Sequence, residues 1–254
     1  METLIFQLQG PLSSWGETAV GEYRPTAGYP GKSAILGLLG AALGIERSDE
    51  TALAGLAGSV RLAVGVLDEG RLLRDYHTAQ VPSRTDLKKR PRATRRDELA
   101  VPKHDLNTIL STRDYRQGAA ALVALQVIDG ASYTLAQLAD ALRRPRFVLY
   151  LGRKSCPLAL PAYPCIVDAE HVHAALASYQ QTLAALWSAS KAAKAAPATQ
   201  ALRKVVWGDD FGADGDALIG LTRELSVTSK DDIIARHGWQ FGDRRVHIAL
   251  LEEE

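Results

Sequence analysis

Hydrophobic positions divide the N-terminal part of the chain into a strand, a turn-rich loop and a helix. Residues 3–10 (TLIFQLQG) form an apolar run rich in strand-favouring residues, and Gly-Pro ends it. Residues 11–31 are rich in Gly and Pro and predict a long loop. Residues 32–44 place Leu and Ile at the spacing of one helix face, and Gly44 stands where a helix commonly ends.

The alternation of strands and helices continues after residue 47. The predicted elements are a helix at 48–58 capped by Ser48, a strand–turn–strand at 60–79, a strand at 119–129, a helix at 134–145, a strand at 146–161, a helix at 169–196, and late strands in 203–209 and 244–254. This order predicts an α+β fold with a ferredoxin-like or RNA-recognition-motif-like βαββαβ core.

The predicted core is interrupted by one inserted segment and followed by an extension. We expect residues 1–165 to form the core domain, with an insertion at about 82–117. Residues 166–254 are expected to form a C-terminal extension of helices and strands that packs on this core. The sequence pattern defines the fold of this extension least well.

The composition of the chain limits the kinds of function that it can have. The chain has 254 residues, 46% of them hydrophobic, and a net charge of +1, so a nucleic-acid site requires local clustering of charge. Two cysteines are too few for a disulfide framework or a cysteine-rich zinc site, which favours reduced thiols in the cytoplasm. The sequence predicts neither a signal peptide nor a membrane span, and we expect no cofactor and no metal.

The inserted segment carries the main charge cluster. Residues 82–117 hold ten Lys or Arg against five Asp or Glu, and the basic residues concentrate in 88–96 (KKRPRATRR). Such a run either attracts phosphates or is an ordinary solvated loop. The candidate RNA-binding residues in this segment are Lys88, Lys89, Arg90, Arg92, Arg113, Tyr115 and Arg116.

A Gly-Lys-Ser triplet at residues 31–33 raises the question of a nucleotide-binding P-loop. That motif requires a glycine five positions before Gly31, where this chain has Thr26, and Pro30 removes an N–H that would face a phosphate. We therefore expect no nucleotide hydrolysis. The helix start is either structural or an anion site in which Lys32 and Ser33 bind a nucleic-acid phosphate.

A second basic loop follows the predicted strand at 146–161. Gly152 allows close backbone approach, and Arg153, Lys154 and Ser155 are donors of the kind that bind phosphate. An ordinary turn at the end of a strand is the other interpretation. Arg24 lies near Lys32 in sequence and is expected to share its phosphate.

The aromatic side chains of Tyr76, His77 and Trp15 are considered next, because aromatic rings can stack on bases. His77 and Tyr76 lie on opposite faces of a strand, so one is expected to contact a base and the other to lie in the core. Trp15 lies in a Gly/Ser loop, where it either stacks on a base or closes the edge of the core. The pair His171 and His173 lacks a third nearby ligand, and we expect it to be surface rather than a metal site.

Four motifs occur in a fixed order: LQGPLSSWG (8–16), RPTAGYPGKSAILGLLGAALGI (24–45), RDYHTA (74–79) and YLGRKSCPLALP (150–161). Together they resemble the CRISPR-associated RAMP family, and within it a subunit of the type I-E Cascade surveillance complex. The resemblance covers roughly residues 3–165. It implies a protein that binds the 5′ handle of the CRISPR RNA (crRNA), with the inserted segment 82–117 acting as a thumb.

The resemblance also implies partners and leaves one alternative. Such a subunit caps the filament of backbone subunits, contacts the large subunit, and meets target DNA only through the complex. It has no catalytic residues. The alternative is a metal-independent endoribonuclease that processes CRISPR repeat RNA, for which Tyr23, Lys103 and His104 are residues of the required types.

Overall fold

The computed structural model describes residues 1–88, 90, 93–188, 200–235 and 240–251. The strands are β1 (Glu2–Gln9), β2 (Leu12–Ser13), β3 (Trp15–Gly16), β4 (Tyr23–Arg24), β5 (Thr26–Ala27), β6 (Val60–Asp68), β7 (Arg71–Pro82), β8 (Leu106–Gln117), β9 (Ala120–Val127), β10 (Cys165–Asp168), β11 (Lys204–Gly208), β12 (Leu225–Ala235) and β13 (Gln240–Leu250). The helices are α1 (Lys32–Leu43), α2 (Glu50–Ser59), α3 (Arg95–Glu98), α4 (Leu135–Arg143), α5 (Val172–Ser188) and α6 (Gly215–Ile219). Lys103–Asp105 and Asp209–Phe211 form short 3₁₀ turns.

A seven-stranded antiparallel sheet forms the centre of the molecule, in the order β10-β1-β9-β6-β11-β13-β12. Its central strands are near-continuous apolar runs because helices cover both faces. Alternate side chains of β1 accordingly enter two cores. Phe6 packs with residues of α1, α2 and α4, whereas Ile5 packs with residues of α5 and α6.

A second, smaller sheet is built around a long hairpin. All 12 residues of β7 pair with β8, from Arg71 opposite Gln117 to Pro82 opposite Leu106. The other edge of β8 pairs with β2 and, in parallel, with β4. Residues 83–105 connect the two long strands, and we call the whole unit the β7–β8 hairpin. The fold therefore combines helices with several sheets whose strands are antiparallel, except for the β4–β8 pair.

Most predicted elements are present, but one strand pairing and one predicted strand differ from the sequence expectation. Gly70 makes the predicted turn with a φ of +71°, yet β7 pairs with β8 and not with β6. No strand forms over 146–161, where Tyr150 and Pro157 make a single bridge. Proline cannot donate to a sheet ladder, and the strand that pairs with β1 is β10, which begins immediately after Pro164.

Smaller differences concern helix ends and the C-terminal part. Asp49 rather than Ser48 caps α2, because its carboxylate accepts from the N–H of Ala52. β11 and β13 confirm the strands that were predicted in 203–209 and 244–254, and α5 confirms a helix within 169–196. The strand β12 was not predicted. Among the helices that the structure describes, none is both long and apolar enough to cross a membrane.

Candidate nucleic-acid interface

The register of the β7–β8 hairpin sorts its side chains onto two faces. Residues that lie opposite each other in a ladder share a face, and neighbours along a strand alternate. Arg113 lies opposite Asp75 on β7 and opposite Arg24 on β4. His77 and Tyr115, each two residues further along its strand, share this side. We call the basic face the surface formed by Arg24, His77, Arg113, Tyr115 and Arg153.

Arg153 joins the basic face from a distant loop. Its guanidinium lies 4.6 Å from the centre of the Tyr115 ring, and Nη2 donates to the carbonyl of Arg24 at 3.4 Å. The loop can approach this closely because Gly152 has a φ of +85° and a Cβ there would lie 1.9 Å from the carbonyl oxygen of Ser14. A glycine is therefore required at this position for Arg153 to reach Tyr115.

The charge of the basic face is mostly positive, and Arg153 is its partly buried cation. Arg24 and Arg113 are exposed, and the side chain of His77 is 53% exposed. Asp75 is the acid on this face, and its carboxylate lies 3.1 Å from Nδ1 of His77. Three guanidinium groups beside an aromatic ring and an imidazole are an arrangement that can bind RNA phosphates and stack on a base.

The opposite face of the hairpin holds a buried carboxylate. Asp114 accepts hydrogen bonds from Arg74 Nε at 2.9 Å, Arg74 Nη2 at 3.1 Å and the Tyr23 hydroxyl at 2.6 Å. The hydrogen bonds from Arg74 hold the pKa of Asp114 below its ordinary value, although burial acts in the opposite direction. Donation to Asp114 raises the pKa of Tyr23. Arg74 and Asp114 therefore brace the hairpin, a pairing that residue types alone did not single out.

The three residues considered for ribonuclease chemistry are not brought together. Tyr23 lies opposite Thr112 on β8, whereas Lys103 and His104 lie in the 3₁₀ turn before β8 begins at residue 106. Six strand residues separate the two places, which corresponds to about 20 Å. A base and an acid must both reach one 2′-hydroxyl, so this arrangement does not form such a site.

The helix start at residues 31–33 binds an internal anion rather than a free one. The backbone N–H of Lys32 donates to Oδ2 of Asp231 at 2.7 Å, and the Lys32 ammonium lies 3.3 Å from Oδ2 of Asp210. The Lys32 side chain is only 13% exposed. The proposed phosphate site of Lys32 and Ser33 is thus occupied by a carboxylate of β12, which corrects that expectation.

The structure selects one of the two alternatives for Trp15 and corrects the expectation that one of His77 and Tyr76 lies in the core. Trp15 is 4% exposed within the core, and its backbone N–H donates to Oγ1 of Thr26 at 2.9 Å, so the side chain closes the core edge and presents no surface for a base. His77 and Tyr76 do lie on opposite faces, but both are exposed, Tyr76 by 64%. Neither enters the core, and β7 is exposed along most of its length.

The remaining candidates lie away from the basic face or are only peripheral to it. Arg116 points to the opposite face, where Nε donates to the carbonyl of Ala27 at 3.2 Å. Lys88 and Arg90 are exposed in the connection of the hairpin, and Lys89 and Arg92 lie outside the described residues. Lys154 and Ser155 are exposed next to Arg153.

A groove beside Arg153 was not predicted from the sequence. It has a volume of about 1810 Å³ and is lined by α1, by the loop of residues 147–154 and by residues 14–19. Phe147 and Val148 are exposed there, by 48% and 83%. Within the described part of the chain, no group of three or more ligating side chains is placed to hold a metal ion. His171 instead accepts a hydrogen bond from the N–H of Ala174 at the start of α5.

Comparison with known proteins gives concordant matches. The profile of a family described as CRISPR-associated protein (Cas_Cas5) matches residues 3–247. The protein named CRISPR system Cascade subunit CasD, from Escherichia coli (strain K12), is 36% identical over 185 residues, which is 70% of this chain and 76% of the relative.

Two solved structures share the fold. One, described as a CRISPR RNA-guided surveillance complex, superposes with a TM-score of 0.62 at 21% identity and covers 98% of this chain and 89% of its own. The other, described as the crystal structure of a Cas protein, gives a TM-score of 0.54 at 24% identity, with coverages of 98% and 94%. At these identities the two structures indicate a common fold.

Proposed function

Because this chain belongs to the CRISPR-associated Cas5 family, we propose that it is a subunit of a type I-E Cascade surveillance complex in antiviral defence and that it is non-catalytic toward RNA. In this role it binds the 5′ handle of the crRNA and caps the filament of backbone subunits next to the large subunit. It acts in the cytoplasm and meets target DNA only through the assembled complex. The name of the Escherichia coli relative, a Cascade subunit, supports this set of partners.

The observation that carries the proposal is the basic face. Arg24, Arg113 and Arg153 come from three separate segments, yet the strand register and the Gly152 loop place them on one side of one sheet. Tyr115 lies under Arg153, His77 lies at the other end of the same face, and both offer rings for stacking. A single-stranded RNA is the ligand that matches this combination, since its phosphates require cations and its splayed bases require flat partners.

We further propose that β1, α1, β6, β9, α4 and β10 form a ferredoxin-like core. Their antiparallel order in the sheet, β10-β1-β9-β6, is that of a split βαββαβ unit. In this division residues 1–165 are the RNA-binding domain, with the thumb at about 82–117, and residues 166–254 are the extension. The paired strands of the thumb begin earlier, at Arg71.

The β7–β8 hairpin also has the surface of a subunit contact. Large apolar side chains are exposed on both of its strands, which a solvated arm would not need. They are Leu72, Leu73, Tyr76, Ile109 and Leu110. We propose that they pack against the neighbouring backbone subunit when the complex assembles.

The experiment that tests RNA binding uses the assembled complex. Arg113→Ala and Arg153→Ala should each weaken retention of crRNA, and each should reduce the slope of log affinity against log salt by about 0.7. Arg144→Ala, an exposed arginine outside the basic face, is the matched control and should leave both quantities unchanged. Equal retention in all three variants would contradict the assignment of the basic face.

The ribonuclease alternative predicts a different result. Repeat RNA incubated with the purified chain should remain intact if the chain is non-catalytic. Cleavage that disappears in Lys103→Ala and His104→Ala would establish the alternative. A third possibility is that the chain is a protein adaptor that does not contact RNA. In that case Arg113→Ala and Arg153→Ala would assemble with the other subunits and would retain as much RNA as the wild type.

A further inference from the structure

Three side chains of the C-terminal strands form a Ser-His-Asp relay that the RNA-binding role does not use. Ser226 on β12 lies directly opposite His247 on β13, and its Oγ is 2.8 Å from Nδ1 of the ring. Asp209, the first residue after β11, places Oδ1 at 2.6 Å from Nε2. A hydroxyl, an imidazole and a carboxylate are thus joined in series through the two ring nitrogens.

The partners determine which ring nitrogen carries the proton. An ionised carboxylate only accepts hydrogen bonds, so Nε2 of His247 donates to Asp209. In the neutral ring Nδ1 then carries no proton and accepts from the hydroxyl of Ser226. These are the roles of a serine nucleophile, its general base and the carboxylate that orients the base, with the two ring nitrogens exchanged.

Burial separates the base from the nucleophile. His247 is 3% exposed, between the Trp207 ring, whose centre is 5.9 Å away, and the guanidinium of Arg223. Ser226 is exposed, and so is Asp209. The ring is therefore held in one orientation while the hydroxyl remains open to a substrate.

Arg223 adds a fixed positive charge beside the pair. Its Nη1 lies 3.2 Å from Nε2 and 3.5 Å from Nδ1 of His247, and its Nε donates to Asp216 Oδ1 at 2.7 Å. Asp216 therefore holds the guanidinium against the imidazole. A cation at this place can stabilise an oxyanion that forms next to Ser226.

We propose that Ser226 is an activated nucleophile that takes the acyl group of small carboxylic esters. Oγ bonds to the carbonyl carbon as its proton passes to Nδ1 of His247, and the alkoxide leaves with that proton when the ester C–O bond breaks. Water then attacks the acyl-serine, gives its proton to Nδ1, and releases the acid as Oγ is reprotonated. Ester and water become acid and alcohol, with no further reactant.

The same hydrogen bonds would also brace three strands, and chemical reactivity distinguishes the two roles. A serine that only braces a sheet reacts with acyl or phosphonyl electrophiles no faster than any other exposed hydroxyl. Thr228, two residues along β12 on the same side, is exposed and supplies the comparison.

The test is labelling of the purified full chain with a fluorophosphonate probe, followed by mass spectrometry of the labelled peptide. The label should map to Ser226 and disappear in Ser226→Ala, whereas Thr228→Ala should be labelled at a rate within about twofold of the wild type. Ser226→Ala should also lose the hydrolysis of p-nitrophenyl acetate, and Thr228→Ala should keep it. Label on other residues, or equal labelling of Ser226→Ala, would overturn the proposal.

Asp209 is a positioning residue in this scheme, because it acts through the imidazole. Asp209→Asn should slow labelling at least about tenfold, since the amide favours the wrong tautomer. Asp209→Glu keeps a carboxylate and should recover part of the rate at an unchanged melting temperature. Equal rates in Asp209→Asn and Asp209→Glu would show that the carboxylate does not orient the base, and would contradict the relay.

Discussion

Asp231 joins β12 to the start of helix α1, and replacing it with alanine is expected to lower the free energy of unfolding by about 4 kcal/mol. Its carboxylate is 8% exposed and accepts from Arg244 Nε at 3.1 Å, Arg244 Nη2 at 2.9 Å and the N–H of Lys32 at 2.7 Å. Arg244 is 14% exposed. Alanine therefore leaves a buried guanidinium without its counter-charge, a loss of about 3–5 kcal/mol, and removes the acceptor at the helix start.

The pH dependence gives this prediction a second signature. Burial alone would raise the pKa of Asp231, but the hydrogen bonds and charge of Arg244, with the Lys32 N–H, lower it overall. A carboxylate whose pKa is lower in the folded state stabilises the fold above its unfolded pKa, about 3.9, and loses that contribution as the pH falls through the folded pKa. The deficit of Asp231→Asn relative to the wild type should therefore be constant near neutrality and shrink in acid.

Urea unfolding followed by tryptophan fluorescence measures both effects. Thr228→Ala on the same strand is exposed and should change stability by no more than about 0.5 kcal/mol. The double variant Asp231→Ala/Arg244→Met removes the stranded charge and should recover part of the loss. A cost below about 1 kcal/mol for Asp231→Ala, or a double variant less stable than the single one, would refute the reasoning.

Three further substitutions give graded effects on unfolding in urea. Gly152→Ala should cost at least about 2 kcal/mol and reduce crRNA retention, because a Cβ would lie 1.9 Å from the carbonyl oxygen of Ser14. Thr134→Ala removes the N-cap of α4, part of a capping box, and should cost about 1 kcal/mol. Asp114→Ala should cost about 1–3 kcal/mol, less than Asp231→Ala, because its arginine partner is 55% exposed and regains water.

For each of these three substitutions, one result would contradict the prediction. Wild-type stability and RNA retention in Gly152→Ala would mean that the loop does not need its close approach to Ser14. An unchanged midpoint in Thr134→Ala would show that water replaces the cap without cost. A loss in Asp114→Ala equal to that in Asp231→Ala would contradict the argument from the exposure of the partner.

Elements with strong local signals were predictable from the sequence. Helix α1 has its apolar spacing and Gly44 in a left-handed conformation at its end, and α4 carries its own capping box. The central strands β1 and β9 are continuous apolar runs. In each case the residues that determine the element lie within it, so a local pattern is sufficient.

Pairing between distant segments was not predictable in the same way. Nothing local distinguishes a β6–β7 hairpin from a β7 that pairs with β8, because both use the same turn at Gly70. The run at 146–161 is apolar enough for a strand, but only the sheet shows that the edge beside β1 belongs to β10. Strand partners are set by tertiary packing, which no window of sequence contains.

The same division holds for the candidate site. Alternation along β8 is sufficient to place Arg113 and Tyr115 on one face and Arg116 on the other. By contrast, the anion at the start of α1 comes from Asp231, about 200 residues later in the chain. The Gly-Lys-Ser triplet left a structural helix start and a nucleic-acid phosphate site open, and its sequence context held no sign that a carboxylate of the same chain binds there.

The central claim is most directly tested by isolating the tagged chain from cells that carry its own neighbouring genes and sequencing the RNA bound to it. The account predicts RNAs of uniform length that begin with one fixed repeat-derived handle, recovered together with the backbone and large subunits. A chain recovered alone and without RNA would contradict it.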